Sequence, residues 1–293
     1  MKNFLKRILP TKVFIFIRDI FYPEKINILE GRLNNLFVTH YQNLMSDNLS
    51  QRIAFRNAEF KIYSKHGCDG ILAYVFSKIG VTNRTFVEMG IEDGRECNTA
   101  NLSRNFGWQG LMIDANEKWV QSARDFYNGF NVQVVQSFVT AENINKTITD
   151  GAIRREIDLL SIDIDGNDYW VWEAITVVNP RVVVIEYNAS LGLHPLTKKY
   201  DATQRFNPKQ NHPLYFGASL TALTKLAKEK KYILVACDTH GHDAFFVKED
   251  VAKNKFIELS PDEVFYPNPF VLRKFGSAHE QFEQIKHLDF EEI

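Results

Sequence analysis

Apolar positions along this chain alternate between two periods. Thr85–Val87 is a β-branched and aromatic run ending in Glu88; a turn with Gly90 and Gly94 follows, then a helical stretch from about Arg95 to Phe106. A second strand-like run, Gly110–Ile113, ends in Asp114. The pattern then predicts a helix over Lys118–Asn128, a strand over Asn131–Gln136 and a helix or loop over Thr140–Asp150. It continues with a strand over Asp158–Ile164 and a helix over Tyr169–Val177 stopped by Asn179-Pro180. Arg181–Tyr187 is a continuous β-branched run, as in a strand covered on both faces. A helix over Ala218–Lys230 leads to two strands, Tyr232–Cys237 and Ala244–Lys248, joined by a short turn and so paired as a hairpin. Upstream, Ile71–Ile79 reads as a helix closed by Gly80.

Five strand–helix units closing in a hairpin predict an α/β fold. The sheet is Rossmann-like and mostly parallel, with an antiparallel edge hairpin. Residues 59–252 carry this domain, and the charged, aromatic residues 253–293 read as a peripheral extension. Residues 1–58 read as an N-terminal helical arm. Ile26, Leu29, Leu33 and Leu36 recur at spacings of three and four, a short seam suited to homo-oligomer contact. The basic, apolar start contains Val13–Ile17, a run too short to span a bilayer and lacking a signal-peptide cleavage site. Either packing against protein or peripheral contact with an anionic membrane surface would use it. The long polar stretch from Asn188 to Phe216 contains Pro195, Pro208 and Pro213, and loops of this length inside compact domains carry function or move.

Composition narrows the classes. The chain has 293 residues, is 45% hydrophobic and 24% charged, as globular proteins are. A net charge of −1 argues against nucleic acid as a partner. Cys68, Cys97 and Cys237 lie far apart, which suits a reducing cytoplasmic compartment and no structural zinc.

The chemistry gathers at strand ends. Glu88, Gly90 and Gly94 form E-x-G-x-x-x-G, not the G-x-G-x-x-G of a dinucleotide site. With Glu92 and Asp93, this turn would repel a pyrophosphate and favour a cationic ligand such as the sulfonium of S-adenosylmethionine. Asp114, at the end of the second strand, is placed to accept ribose hydroxyls. Asp163, Asp165 and Asp168 crowd the end of the fourth strand. Asp163 and Asp165 are expected on one side of it, sharing Mg²⁺ or Mn²⁺ or serving as a base, and Asp168 is expected to cap the next helix. Glu186 ends the neighbouring strand and joins the same rim. Of the histidines, His242 is best placed, in the turn before the last strand.

These segments resemble a known family. VEMGIEDGRECNT (87–99), GWQGLMID (107–114), DLLSIDIDGNDYW (158–170), PRVVVIEYNA (180–189), YFGASLTALTKLAK (215–228) and CDTHGHDAFFV (237–247) are similar to FkbM-type class I S-adenosylmethionine-dependent methyltransferases, in the branch found in bacterial surface-polysaccharide loci. One departure is Cys68 in Ser64–Gly70, where relatives carry Glu. The resemblance implies an enzyme that methylates a sugar or glycan hydroxyl. It places Glu88 and Gly90 under the methionine part of the cofactor, Asp114 at the ribose, and Ser137 and Phe138 near the adenine. Asp163 falls beneath the reacting methyl, with Asp165, Glu186 and His242 at the acceptor hydroxyl or a metal. Two other readings use the same residues: a metal-dependent glycosyltransferase built on Asp163-x-Asp165, and a non-catalytic assembly protein on a methyltransferase fold.

Overall fold

In a computed structural model the described residues are 49–203 and 212–293. The seam Ile26, Leu29, Leu33 and Leu36 and the run Val13–Ile17 lie outside them. Seven strands make one sheet: β1 (Thr85–Met89), β2 (Gln109–Asp114), β3 (Val132–Gln136), β4 (Arg155–Ile162), β5 (Val178–Glu186), β7 (Tyr232–Cys237) and β8 (Asp243–Lys248). Their order is β3-β2-β1-β4-β5-β8-β7, and β6 (Leu196–Lys198) pairs separately with β9 (Phe290–Glu292). All neighbours in the main sheet run parallel except β8, which is antiparallel to both β5 and β7. The fold is therefore a Rossmann-like, mostly parallel sheet with an antiparallel edge hairpin, as the periodicity predicts.

Period-two alternation sends apolar side chains to both faces. Val87, Met89, Leu111, Ile113, Leu160, Val183 and Ile185 enter one core. Phe86, Met112, Leu159, Val182 and Val184 enter the other. The first is covered by α5 (Ile144–Asp150), α6 (Asp168–Ala174) and α7 (Leu220–Glu229). The second is covered by α1 (Gln51–Ala58), α2 (Cys68–Ile79), α3 (Ala100–Phe106) and α4 (Glu117–Phe126). A sheet sealed on both sides explains why its strands read as unbroken apolar runs. The C-terminal residues contribute Leu259 and Val264 to the first core. They form four short helices: α8 (Glu249–Ala252), α9 (Pro261–Val264), α10 (Pro269–Phe275) and α11 (Ala278–Ile285). Among the described residues no helix is long and apolar enough to cross a membrane.

Three local expectations are corrected. The helix expected from Arg95 starts at Ala100, because residues 90–99 are drawn into a turn by Glu88 (described below). The helix expected to run to Val177 ends at Ala174, and Asn179-Pro180 lies inside β5. Proline is tolerated there because β8 pairs only with Val182–Glu186, so one flank of Pro180 needs no ladder bond. The fourth strand ends at Ile162, so Asp163 and Asp165, which it was expected to carry, lie in the turn just beyond it.

Fully buried Asp158 ties the far end of the sheet. Its carboxylate accepts backbone N–H groups of Thr82, Asn83 and Arg84 and pairs with Arg181 at 2.8 Å. Burial works against its charge, but these donors outweigh it and hold the carboxyl below its ordinary range.

Candidate functional site

Strand order reverses between β1 and β4, and ligands of open α/β sheets bind beyond the carboxyl ends at such a switch point. A cavity of about 760 Å³ opens there, within the range of small-molecule sites. Its walls include Glu88, Gly90, Asp114, Ser137, Phe138, Asp163, Asp165, Glu186 and His242. Every residue singled out from the sequence for cofactor or catalysis thus borders one space.

The β1 turn is shaped by close approach. Gly90 has φ +77°, and a Cβ there would sit 1.5 Å from the Asp163 carbonyl oxygen. Its N–H donates to the Ile113 carbonyl at 2.9 Å, so bare backbone lies between β2 and β4. Glu88 is buried and holds the following residues: its carboxylate accepts the N–H groups of Asn98 (2.8 Å) and Thr99 (3.0 Å), the Thr99 hydroxyl and the Ser161 hydroxyl (3.0 Å). Burial nevertheless pushes its carboxyl up. Glu88 is the residue that sets the shape of the turn. Asp114 accepts the N–H of Glu92 (2.9 Å) and of Asn116 (2.8 Å), one on each oxygen. An ionised carboxylate offers about four lone-pair positions, so about two remain toward the cavity.

At the other end, one ligand atom from each of Asp163, Asp165 and Glu186 lies within 4.8 Å of the others. The expected convergence is there, although the two aspartates reach it from a turn, with Asp165 at φ +56°. Asp168 is not the helix cap: Asn167 occupies that position. The Asp168 carboxylate instead accepts the N–H of Ile164 (2.8 Å) and of Gly166 (2.9 Å), fixing the turn that presents Asp163 and Asp165.

Three acids this close cannot all ionise cheaply. Burial, then Asp165, pushes Asp163 well up; burial, then Asp163 and Asp165, does the same to Glu186. Asp165 is open to the cavity by surface area yet closely surrounded by protein, and the surroundings decide its protonation: burial and Asp168 push it up to about 6. One Glu186 oxygen, Oε2, is buried without a hydrogen-bond partner. Lys65, a cation on the same cavity wall, pairs with Glu92 at 3.1 Å. Burial works against its charge, but Asp163, Glu92 and Glu186 outweigh it and keep the ammonium charged.

His242 is hydrogen-bonded at one nitrogen and faces a carboxylate with the other. Asn268 Nδ2 lies 2.8 Å from His242 Nε2, and Asn268 Oδ1 already accepts the N–H groups of Phe270 and Val271. The amide therefore donates, His242 Nε2 accepts, and the ring proton sits on Nδ1, 3.6 Å from Glu186 Oε1. His242 stacks on His66 with ring centroids 4.3 Å apart, and burial keeps it neutral by lowering its pKa. In this arrangement its Nδ1–H faces Glu186 without a hydrogen bond to it, and its one basic nitrogen is taken by Asn268, contrary to the role expected for it.

Sequence reasoning passed over Lys65, Trp119, Lys198, Tyr215 and Asn268. Lys65 stands in the motif that differs from relatives, which was a signal. Trp119 is an exposed indole on the cavity wall. Lys198 and Tyr215 lie in the Asn188–Phe216 stretch, which the sequence marks as a whole without singling them out, and Asn268 comes from a segment without periodicity.

No family model matches this chain, and no curated relative matches it. Solved structures with some likeness include the N-terminal domain of EvdMO1, determined in the presence of S-adenosylhomocysteine and D-fucose: 14% identity, 62% of this chain and 82% of that one, TM-score 0.41. Others are an S-adenosylmethionine-dependent methyltransferase from Clostridium acetobutylicum (11%, 74% and 99%, 0.41) and the CurJ carbon methyltransferase (8%, 82% and 71%, 0.42). At these values the fold rests on the chain's own strand order and register.

Proposed function

We propose that this chain is an S-adenosylmethionine-dependent O-methyltransferase acting on a sugar or glycan hydroxyl. It would be of the FkbM type its motifs resemble and serve surface-polysaccharide synthesis at the cytoplasmic face of a membrane. The observation that supports this most is the continuity of the cavity. It begins at Asp114, passes the bare Gly90 backbone and ends on Asp163, Asp165 and Glu186.

Each part has a task in that reading. S-adenosylmethionine, when bound, supplies a methyl group activated by its sulfonium. Asp114 accepts the ribose hydroxyls with the lone pairs its backbone donors leave free. Ser137 and Phe138 border the adenine, and Glu88 holds the turn that lets Gly90 approach the methionine part. The acidic floor suits a cationic sulfonium and disfavours a diphosphate, which separates this reading from a nucleotide-sugar transferase. Methyl transfer needs the acceptor positioned in line and its proton removed. Asp165, pushed up to about 6, is an ionised base at neutral pH. Glu186 stands next to it, facing His242. The all-oxygen donor set Asp163, Asp165 and Glu186, with the orphaned Glu186 Oε2, fits Mg²⁺ or Mn²⁺, and such an ion would lower the pKa of the acceptor hydroxyl.

Thermal unfolding with S-adenosylhomocysteine tests the reading. At 100 times its dissociation constant the ligand should add about 2.7 kcal/mol of stability, while NAD and nucleotide sugars add none. Asp114→Ala should lose most of this effect and stay folded. Asp165→Asn should keep S-adenosylhomocysteine binding and lose transfer, with chelator sensitivity reporting on the ion. No response to S-adenosylhomocysteine together with a clear response to a nucleotide sugar would overturn the reading.

A further inference from the structure

The cavity holds two lysines in opposite situations. Lys65 is paired with Glu92. Lys198 is only 5% exposed, yet it lines the cavity. Strand alternation separates it from its neighbour, since Lys199 points away and pairs with Asp289 at 3.3 Å. Lys198 is fixed from both sides of its backbone: its N–H donates to the Gly217 carbonyl at 2.8 Å, and its carbonyl accepts the Trp170 indole N–H at 2.9 Å. Its ammonium lies 5.8 Å from the centre of the Tyr215 ring, which also borders the cavity, and the Tyr215 hydroxyl is tied to the Asp289 carbonyl.

Among the described residues Lys198 forms no ion pair. Asp201 and Asp168 attract it electrostatically, and both Asp168 oxygens are taken by the backbone of its own turn. A buried cation without a carboxylate partner is costly, and burial lowers its pKa accordingly. It is worth keeping where a ligand brings the missing negative charge. The rest of the floor is acidic, so one lysine matches one negative charge far better than a diphosphate.

We propose that Lys198, beside the Tyr215 ring, is a specificity site for a carboxylate on the acceptor, so that the sugar methylated is an acidic one of the hexuronic type. This rests on the methyltransferase reading above. The pyranose lies against the Tyr215 ring, its carboxylate meets the Lys198 ammonium, and a hydroxyl turns toward Asp165 and Glu186.

The test uses the full chain saturated with S-adenosylhomocysteine, titrated with D-glucuronate, D-glucose and D-glucose 6-phosphate by ligand-observed NMR. D-Glucuronate should bind roughly tenfold or more tighter than D-glucose, as a desolvated charge-assisted pair implies. Lys198→Met should erase that preference, Lys198→Arg should restore part of it, and both variants should bind S-adenosylhomocysteine as the parent does. Equal binding of glucuronate and glucose, or binding of neither, overturns the proposal while leaving the cofactor reading intact. Preference for the phosphate overturns the carboxylate assignment. Weakened S-adenosylhomocysteine binding in Lys198→Met overturns it too, by assigning the lysine to the cofactor's own carboxylate. If the parent protein does not bind S-adenosylhomocysteine at all, the underlying reading fails and this proposal falls with it.

Discussion

At the scale of single residues, the site is built by backbone donors gathered onto carboxylates. Glu88, Asp114 and Asp168 each spend their oxygens on N–H groups of turns, and those turns carry the groups that face the cavity. Gly90 is the position with least freedom. A side chain there meets the Asp163 carbonyl at 1.5 Å and must also hold φ +77°. Gly90→Ala should lose about 2–4 kcal/mol of stability from left-handed strain and overpacking, and lose S-adenosylhomocysteine binding as β1 and β4 part. Urea unfolding with a parallel thermal shift checks this; unchanged stability would mean the two turns are not in contact.

At the scale of elements, the β7–β8 hairpin carries buried acids next to the site. Asp238 accepts the N–H groups of His242 and Asp243 on one oxygen, while its other oxygen has no partner. Burial, then Asp243, pushes its carboxyl from 3.8 up to about 8. A folded-state pKa above the unfolded one means the folded protein binds the proton more tightly. The stability from this group is therefore complete below about pH 4 and is lost as pH rises toward about 8. Asp238→Asn removes that titration, so its unfolding free energy should fall less between pH 4 and pH 8 than the parent's. Urea midpoints at both pH values measure the difference, and identical declines would show that Asp238 is ionised throughout.

At the scale of the whole molecule, residues 50–293 form a compact unit with cores on both faces of the sheet. α1 belongs to it: the Gln51 side-chain amide donates to the Val235 carbonyl (3.0 Å) and the Ile257 carbonyl (2.9 Å). We propose that the preceding residues serve self-association or membrane contact, from the seam and the basic apolar start. A chain beginning at residue 49 should fold and bind S-adenosylhomocysteine, yet differ from the full chain in solution mass or in binding to anionic liposomes. If neither property changes, those residues only pack on the domain.

The sequence by itself determined the strands of the main sheet, their two-sided burial and the acids that close them, but not β6 and β9. These follow from local periodicity and from the rule that a parallel strand ends where its ligand-facing turn begins. It also carried Asp114, Asp163, Asp165 and Glu186, because each stands at a fixed offset from an apolar run. It misplaced what depends on competition between distant groups. The Arg95 helix was shortened by a carboxylate on β1, and Pro180 was admitted to β5 because its neighbour stops short. The role of His242 was changed by Asn268, 26 positions away in the chain. Lys198 shows the same limit most plainly. The sequence marks the stretch around it only as a whole, and only the folding of its strand against the cavity leaves a charge buried there without a carboxylate partner among the described residues. Such a group is defined by what surrounds it, and surroundings are set by tertiary structure.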